Sequence, residues 1–300
     1  MNKLFGKLPP VLPELDALLK ADEKKRAAIH TADRAGYKPS QKKTGSVISS
    51  KVRTWVVLSD IHYPEHDRGS ISAIFDFIQK NRRDIYGVVL LGDNLDCQSI
   101  SRHTEGLPGL RKEGGFQEDL DGFDATIMRP IEKLVPDAKK IWFEGNHENW
   151  LTRFLEKEPQ FKGALSFPRQ LRLQEREWLF VPQGETYFIG VLGLKHGDGI
   201  GSSTHVAKKL VDTQCCNSMM GHVHTFSAFT KTSESDKGNK WVGYTLPCLT
   251  NTNPKYGKGR PNSHIHGFGI VEEWSNGYVN VYVPIIMKDR FSFGGVLYGR

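Results

Sequence analysis

Cysteine is scarce in this 300-residue sequence, and the four present, Cys97, Cys215, Cys216 and Cys248, form no CxxC pair. That excludes a zinc-ribbon or thioredoxin-like framework and any dense disulfide scaffold, and the vicinal Cys215-Cys216 pair suits neither a metal nor a bridge. The thiols read as reduced, in a cytosolic protein. Long apolar runs are also missing, since no stretch approaches the roughly 18 to 20 residues of a membrane span. In MNKLFGKLPPVLPELDALL at the N-terminus, Pro9, Pro10 and Pro13 break what would be the apolar core of a secretory signal. No internal repeat is visible. With 38% hydrophobic residues the chain can still bury a substantial core, which excludes a disordered or fibrous class.

Acidic residues are in deficit, and the deficit is local. The net charge is +7, yet residues 1 to 50 hold ten Lys and Arg against five Asp and Glu, leaving the other 250 residues at only +2. Residues 13 to 31 are rich in helix formers, with Leu15, Leu18, Leu19 and Ala27 partly on one face. Residues 35 to 51 lose all periodicity. We read 1–51 as a basic helical arm and linker, a candidate for holding nucleic acid or another polyanion by releasing counterions. The alternative is a solvated helix with a basic linker.

Residues 52–300 form the main domain. It opens on the apolar run TWVVL from Thr54, a buried strand by length and β-branching. Helix signals at 71 to 79, a strand at 86 to 91, helix signals at 120 to 134 and a strand at 140 to 144 follow in alternation, which implies βαβ units and a partly parallel sheet. Beyond residue 178 the texture is mostly strand, with one helix near 203 to 213. An α/β fold, in which two mixed β-sheets pack as a sandwich flanked by helices, accommodates both halves.

Polar residues cluster where these apolar runs end. Asp60 and His62 follow the first strand, Asp93 and Asp96 the second, and Asn146, His147 and Glu148 the third. His196 and Asp198, then His222 and His224, follow strands of the second half. Loops at the carboxyl ends of strands converge, so these clusters are expected to share one edge. Asp60 with His62, and His222 with His224, are spaced i, i+2, and in extended backbone each pair would project to one side. Carboxylate oxygen with imidazole nitrogen suits first-row divalent cations. Each motif alone is weak; five in order at strand ends are not.

DIH, GDNLD, GNHE, KHGD and GHVH together resemble the five blocks of the calcineurin-like metallophosphoesterase superfamily, in the right order, over roughly residues 54 to 284. The resemblance implies a four-layer α/β/β/α fold and two divalent metal ions, with manganese foremost and iron, zinc, cobalt or nickel as alternatives. It implies that Asp60, His62, Asp93 and His224 hold one metal and that Asp93, Asn146, His196 and His222 hold the second, with Asp93 bridging. A hydroxide on the metals would attack the phosphorus of an ester. His147 would protonate the leaving group, oriented by Asp96, while Asp198 and Glu148 would fix ligand orientation.

The resemblance leaves the substrate open. The protein phosphatase branch carries an Arg directly after the second aspartate of GDxxD, and Cys97 stands there in this chain. Arg102 and His103 lie in the same loop and are candidate substrate contacts. The basic arm and the loop at 250 to 264, with Lys255, Tyr256, Lys258 and Arg260, favour a phosphodiesterase acting on nucleic acid or a nucleotide. A phosphomonoesterase is the first alternative, and a non-catalytic binding scaffold on the same fold is the second. Trp150, Arg153 and Phe154, at helical spacing after His147, read as core and helix surface. A compact chain of this length fits a bacterial or viral enzyme.

Overall fold

The computed structural model describes residues 52–101, 115–197, 199–201, 205–232, 238–253 and 262–299. The basic arm, Arg102, His103, Asp198, Lys255, Tyr256, Lys258 and Arg260 lie outside the described residues.

The strands are β1 (Arg53–Leu58), β2 (Ile85–Leu90), β3 (Lys139–Phe143), β4 (Trp178–Val181), β5 (Tyr187–Ile189), β6 (Leu192–Lys195), β7 (Asn217–Met220) and β8 (Ser227–Thr232). They continue with β9 (Lys240–Thr245), β10 (His266–Gly267), β11 (Gly269–Glu273), β12 (Val279–Tyr282), β13 (Ile285–Ile286), β14 (Arg290–Phe293) and β15 (Val296–Gly299). The α-helices are α1 (Arg68–Lys80), α2 (Phe116–Phe123), α3 (Arg129–Leu134), α4 (Asn149–Lys157), α5 (Phe167–Gln170) and α6 (Val206–Gln214). A π-helical turn, Asp124–Met128, joins α2 to α3.

Six strands form the first sheet in the order β12-β11-β1-β2-β3-β4. Its four strands β1 to β4 run parallel, β11 pairs antiparallel with the β1 edge, and β12 pairs antiparallel with β11. The second sheet has the order β5-β6-β7-β9-β8, with β6, β7 and β9 parallel. Alternation along β1 separates two cores, because successive side chains leave opposite faces. Val56 and Leu58 join Val88, Leu90 and Trp142 against the helices, with Ile71, Ile74, Phe77 and Ile78 of α1. Trp55 and Val57 join Val89, Leu91, Ile141 and Phe143 against Leu192, Leu194, Met219 and Leu246 of the second sheet. On the far side of that sheet, Val206 and Leu210 of α6 pack on Met220. The four layers are therefore helix, sheet, sheet, helix.

Local chemistry explains where α1 begins and which face it buries. Asp67 caps it, its carboxylate accepting from Ser70 N at 2.7 Å, and the apolar positions 71, 74, 77 and 78 fall on one stripe. Phe77 sits in a box of Phe268, Phe291, Phe293 and Tyr298, which brings the terminal hairpin β14–β15 over the helix. The hairpin carries a readable signal that the sequence reading passed over, since RFSF alternates polar and apolar residues before Gly294-Gly295, whereas SAFTKT of β8 shows little alternation. Within the region read as mostly strand, residues 187 to 195 form the hairpin β5–β6, turning at Gly190 where φ is positive. No helix among the described residues is long and apolar enough to cross a membrane.

Candidate active site

Five loops meet where strands end. Those after β1, β2 and β3 leave the first sheet on one side, and those after β6 and β7 leave the second sheet toward them. Backbone hydrogen bonds lash the first two loops together, with Asp60 N donating to Gly92 O at 3.2 Å and His62 N to Asp93 O at 2.9 Å. Gly221 N donates to His196 O at 3.0 Å in the second sheet. Gly221 is obligatory, since a Cβ there would collide with Ser59 Oγ and Asp60 Oδ2.

The i, i+2 pairs do not converge through extended backbone. Asp60, His62, Asp93, His222 and His224 all have positive φ, between 47° and 71°. The left-handed conformation folds each loop back on itself, and this, not strand alternation, turns both members of a pair inward. Such backbone costs of order 1–3 kcal/mol per residue and persists only when its surroundings hold it.

Two groups of donors result. Asp60, His62 and His224 bring one ligand atom each within 4.8 Å of one another, and so do Asp93, His196 and His222. In the first group Asp60 Oδ1 is 3.3 Å from His224 Nε2, and the Nε2 atoms of His62 and His224 are 3.2 Å apart. In the second, Asp93 Oδ2 is 3.1 Å from His196 Nε2, which is also 3.1 Å from Asn146 Oδ1. Asp93 Oδ2 lies 3.8 Å from His62 Nε2 as well, so one carboxylate faces both groups. Two imidazole nitrogens pointed at each other beside buried carboxylate oxygens are a donor set that fits a divalent cation, and the two groups are compatible with a dinuclear site.

The protein's own hydrogen bonds aim these atoms. Asp60 accepts from Ser59 Oγ at 2.6 Å and from His222 N at 2.9 Å, and His196 Nδ1 bonds Leu91 O at 2.9 Å, leaving Nε2 inward. Glu148 is fully buried and accepts four backbone N–H groups: those of Asp93 and Gly145 on Oε2, and those of Asn94 and Leu95 on Oε1, at 2.7 to 3.1 Å. His147 N donates to Asp93 Oδ1 at 2.9 Å.

Charges couple throughout. Burial alone would raise Asp60, but His224 beside it brings it down to about 2. Burial would likewise raise Asp93, which His196 and His147 pull well below the carboxylate range. Burial works against protonating His196, yet the Asp93 carboxylate lifts it to about 10. His147 is lifted to about 9 against its burial, by Asp93 and then Asp96. Burial and the nearby Asp93 push Glu148 up to about 7, against the N–H donors that favour its anion.

A third group, His62, Asp96 and His147, is a hydrogen-bond network. Asp96 Oδ1 is 3.2 Å from His62 Nδ1 and 3.3 Å from His147 Nδ1, and Asp96 O is 2.9 Å from His147 Nδ1. Asp96 thus orients two histidines, where the sequence suggested one. Two contacts go beyond the sequence reading. Trp150 stacks on His147, with centroids 4.1 Å apart and planes at 28°. His264 lies edge-on to His224 at 4.6 Å, held there by Ile265 N donating to His224 O. Trp150 could have been found from its i+3 spacing; His264 has no sequence signal. Cys97 is 2% exposed and lies in the helix-side core with Leu95 and Leu120.

Among solved structures the chain is similar to Vps29 of Chaetomium thermophilum, with 13% identity, coverage of 82% of this chain and 98% of that one, and a TM-score of 0.42. It is similar to purple acid phosphatase PPD1 of yellow lupin seeds, with 15% identity, coverage of 83% and 53%, and a TM-score of 0.41. It is similar to the nuclease MPE of Pseudomonas putida, with 15% identity, coverage of 76% and 87%, and a TM-score of 0.32. No curated protein matches the sequence. The model of the family described as calcineurin-like phosphoesterase matches residues 54–238, which is more than half of the sequence and spans every donor gathered at the strand ends, and the chain belongs to that family.

Proposed function

We infer that this phosphoesterase is a phosphodiesterase acting on nucleic acid or a nucleotide, with Asp60, His62, Asp93 and His224 holding one cation and Asp93, Asn146, His196 and His222 the other. The observation that carries the hydrolytic reading is the position of the Asp93 carboxylate, 3.1 Å from His196 Nε2 and 3.8 Å from His62 Nε2, facing both donor groups at once. Two divalent cations, when bound, supply an acidified water for attack and positive charge against the phosphoryl oxygens. Manganese leads among the candidate metals.

The rest falls to side chains. His147, lifted to about 9, is the imidazolium at neutral pH: its Nδ1–H donates to Asp96 O, and the Nε2–H is left to be given to the leaving oxygen. The diester preference rests on the basic surplus of residues 1 to 50 and on Cys97. That side chain lies in the core and offers no cation to a terminal phosphate dianion. Every donor position is filled, which weighs against a non-catalytic scaffold.

Hydrolysis of bis(p-nitrophenyl) phosphate beside p-nitrophenyl phosphate, with added manganese, tests this in the wild type and in Asp93→Asn. Metal-dependent turnover favouring the diester and lost in the variant is expected. Preference for the monoester would move the assignment to a phosphomonoesterase, and no turnover on either would leave a binding scaffold. Binding to single-stranded DNA or RNA should weaken with salt, and should weaken further in the full chain carrying Lys24→Glu, Lys25→Glu and Arg26→Glu.

A further inference from the structure

We propose that Trp150 is a positioning residue for His147, and so sets how well the protein expels poor leaving groups; this rests on His147 being the acid. Trp150 is the second residue of α4, and side chains on a helix lean toward its N-terminus, over the residue three positions back. Here that residue is His147. The indole covers one face of the imidazole, with centroids 4.1 Å apart and planes at 28°. The indole is partly buried and packs against the helix-side core, so the platform is anchored. Leu151, the next residue, is buried and pins the start of α4.

The imidazole has two further constraints. His62 meets it edge-on at 4.5 Å and 84°, and Asp96 takes Nδ1 through its backbone oxygen at 2.9 Å. Asp96 alone leaves rotation about the hydrogen bond, and His62 restrains one side. The stacked indole restrains the ring along a face. With all three in place Nε2 points in one direction.

In the step this serves, a water oxygen gives up one proton to solvent and forms a bond to phosphorus while the bond from phosphorus to the ester oxygen breaks. That oxygen takes the proton from His147 Nε2 and leaves as an alcohol, and His147 regains a proton from solvent. A nitrophenolate leaves without help, whereas an alkoxide does not. A misaimed His147 therefore slows alkyl esters and spares nitrophenyl ones. A purely structural defect slows both alike.

The experiment measures kcat on p-nitrophenyl, phenyl and methyl esters of phosphate for Trp150→Ala, Trp150→Phe and His147→Gln, with metal content and melting temperature recorded for each. His147→Gln should lose roughly 100-fold or more on the methyl ester and far less on the nitrophenyl ester. Trp150→Ala should show the same split at about tenfold or more with metal content unchanged, and Trp150→Phe should restore most of it. An equal loss on all esters, no loss, or a loss of metal in both Trp150 variants while His147→Gln keeps its split would overturn the role of Trp150. If His147→Gln itself shows no split, the acid assignment fails, and the positioning role falls with it.

Discussion

Glutamate 148 is the side chain whose replacement would reveal most about how the site is held. Its two oxygens accept from the N–H groups of Asp93, Asn94, Leu95 and Gly145, none of which has another route to water through a carboxylate that is 0% exposed. Glu148→Gln keeps the shape and leaves one oxygen for two of the four donors. The new NH₂ group faces the other two. Each buried donor left unpaired costs about 1–3 kcal/mol, and removing a charge that burial and Asp93 disfavour returns part of it, so the substitution should cost about 1–4 kcal/mol net. Against a total of about 5–15 kcal/mol the domain should still fold, with a melting temperature lower by of order 10 °C. Urea unfolding in the presence of a chelator measures the cost without interference from metal binding. Manganese affinity should fall about 10- to 100-fold as well, because the Asp93 backbone is one of the groups released. A stability loss under about 1 kcal/mol in the chelated protein would refute the cradle as the purpose of this carboxylate.

Other perturbations test separate parts. Gly221→Ala places a Cβ against Ser59 Oγ and Asp60 Oδ2, so manganese content and turnover should both collapse while the far-UV circular dichroism stays that of the wild type. Manganese added to chelated protein should raise the melting temperature, by about 2.7 kcal/mol of stability per site at a hundredfold excess over Kd, and Asp93→Asn should lose most of that rise in a thermal shift assay. Arg176 grips Glu132 through two nitrogens at 2.9 Å and Asp124 at 2.6 Å, tying the π-helical turn and α3 together. Arg176→Ala removes the cation the two carboxylates share, while Asp124 keeps Arg129 Nε at 2.8 Å and Glu132 keeps Trp178 Nε1 at 2.7 Å, and should cost about 1.5–3 kcal/mol in urea unfolding, with kcat of the folded protein unchanged.

Much of the architecture is legible from residue order because it depends on period and position. The runs ending at Leu58, Leu90 and Phe143 are apolar on both faces, as strands covered by a helix layer and a second sheet must be, and the polar clusters after them mark the carboxyl edge. What could not be read depends on contacts between distant segments. The left-handed backbone at Asp60, His62, Asp93, His222 and His224 is enforced by hydrogen bonds between loops, such as His62 N to Asp93 O, which no local propensity encodes. His264 reaches His224 only because Ile265 N pairs with His224 O across some forty intervening residues. The second duty of Asp96, toward His62, needs both loops in place before it exists.

The left-handed residues also bear on what a bound cation has to do. Five of them at about 1–3 kcal/mol each would be a heavy load if the metal alone held the loops in shape. The hydrogen bonds suggest otherwise. Asp60 is fixed by His222 N and Ser59 Oγ, the Asp93 loop by Glu148, and His196 by Leu91 O, all through protein groups. Inward-facing atoms remain: Asp93 Oδ2 and the Nε2 atoms of His62, His196 and His224. A cation arriving there meets donors already aimed, so its binding energy need not be used to fold the loops. The strain is held by the scaffold, and a bound cation would bring charge to a geometry the chain has already made.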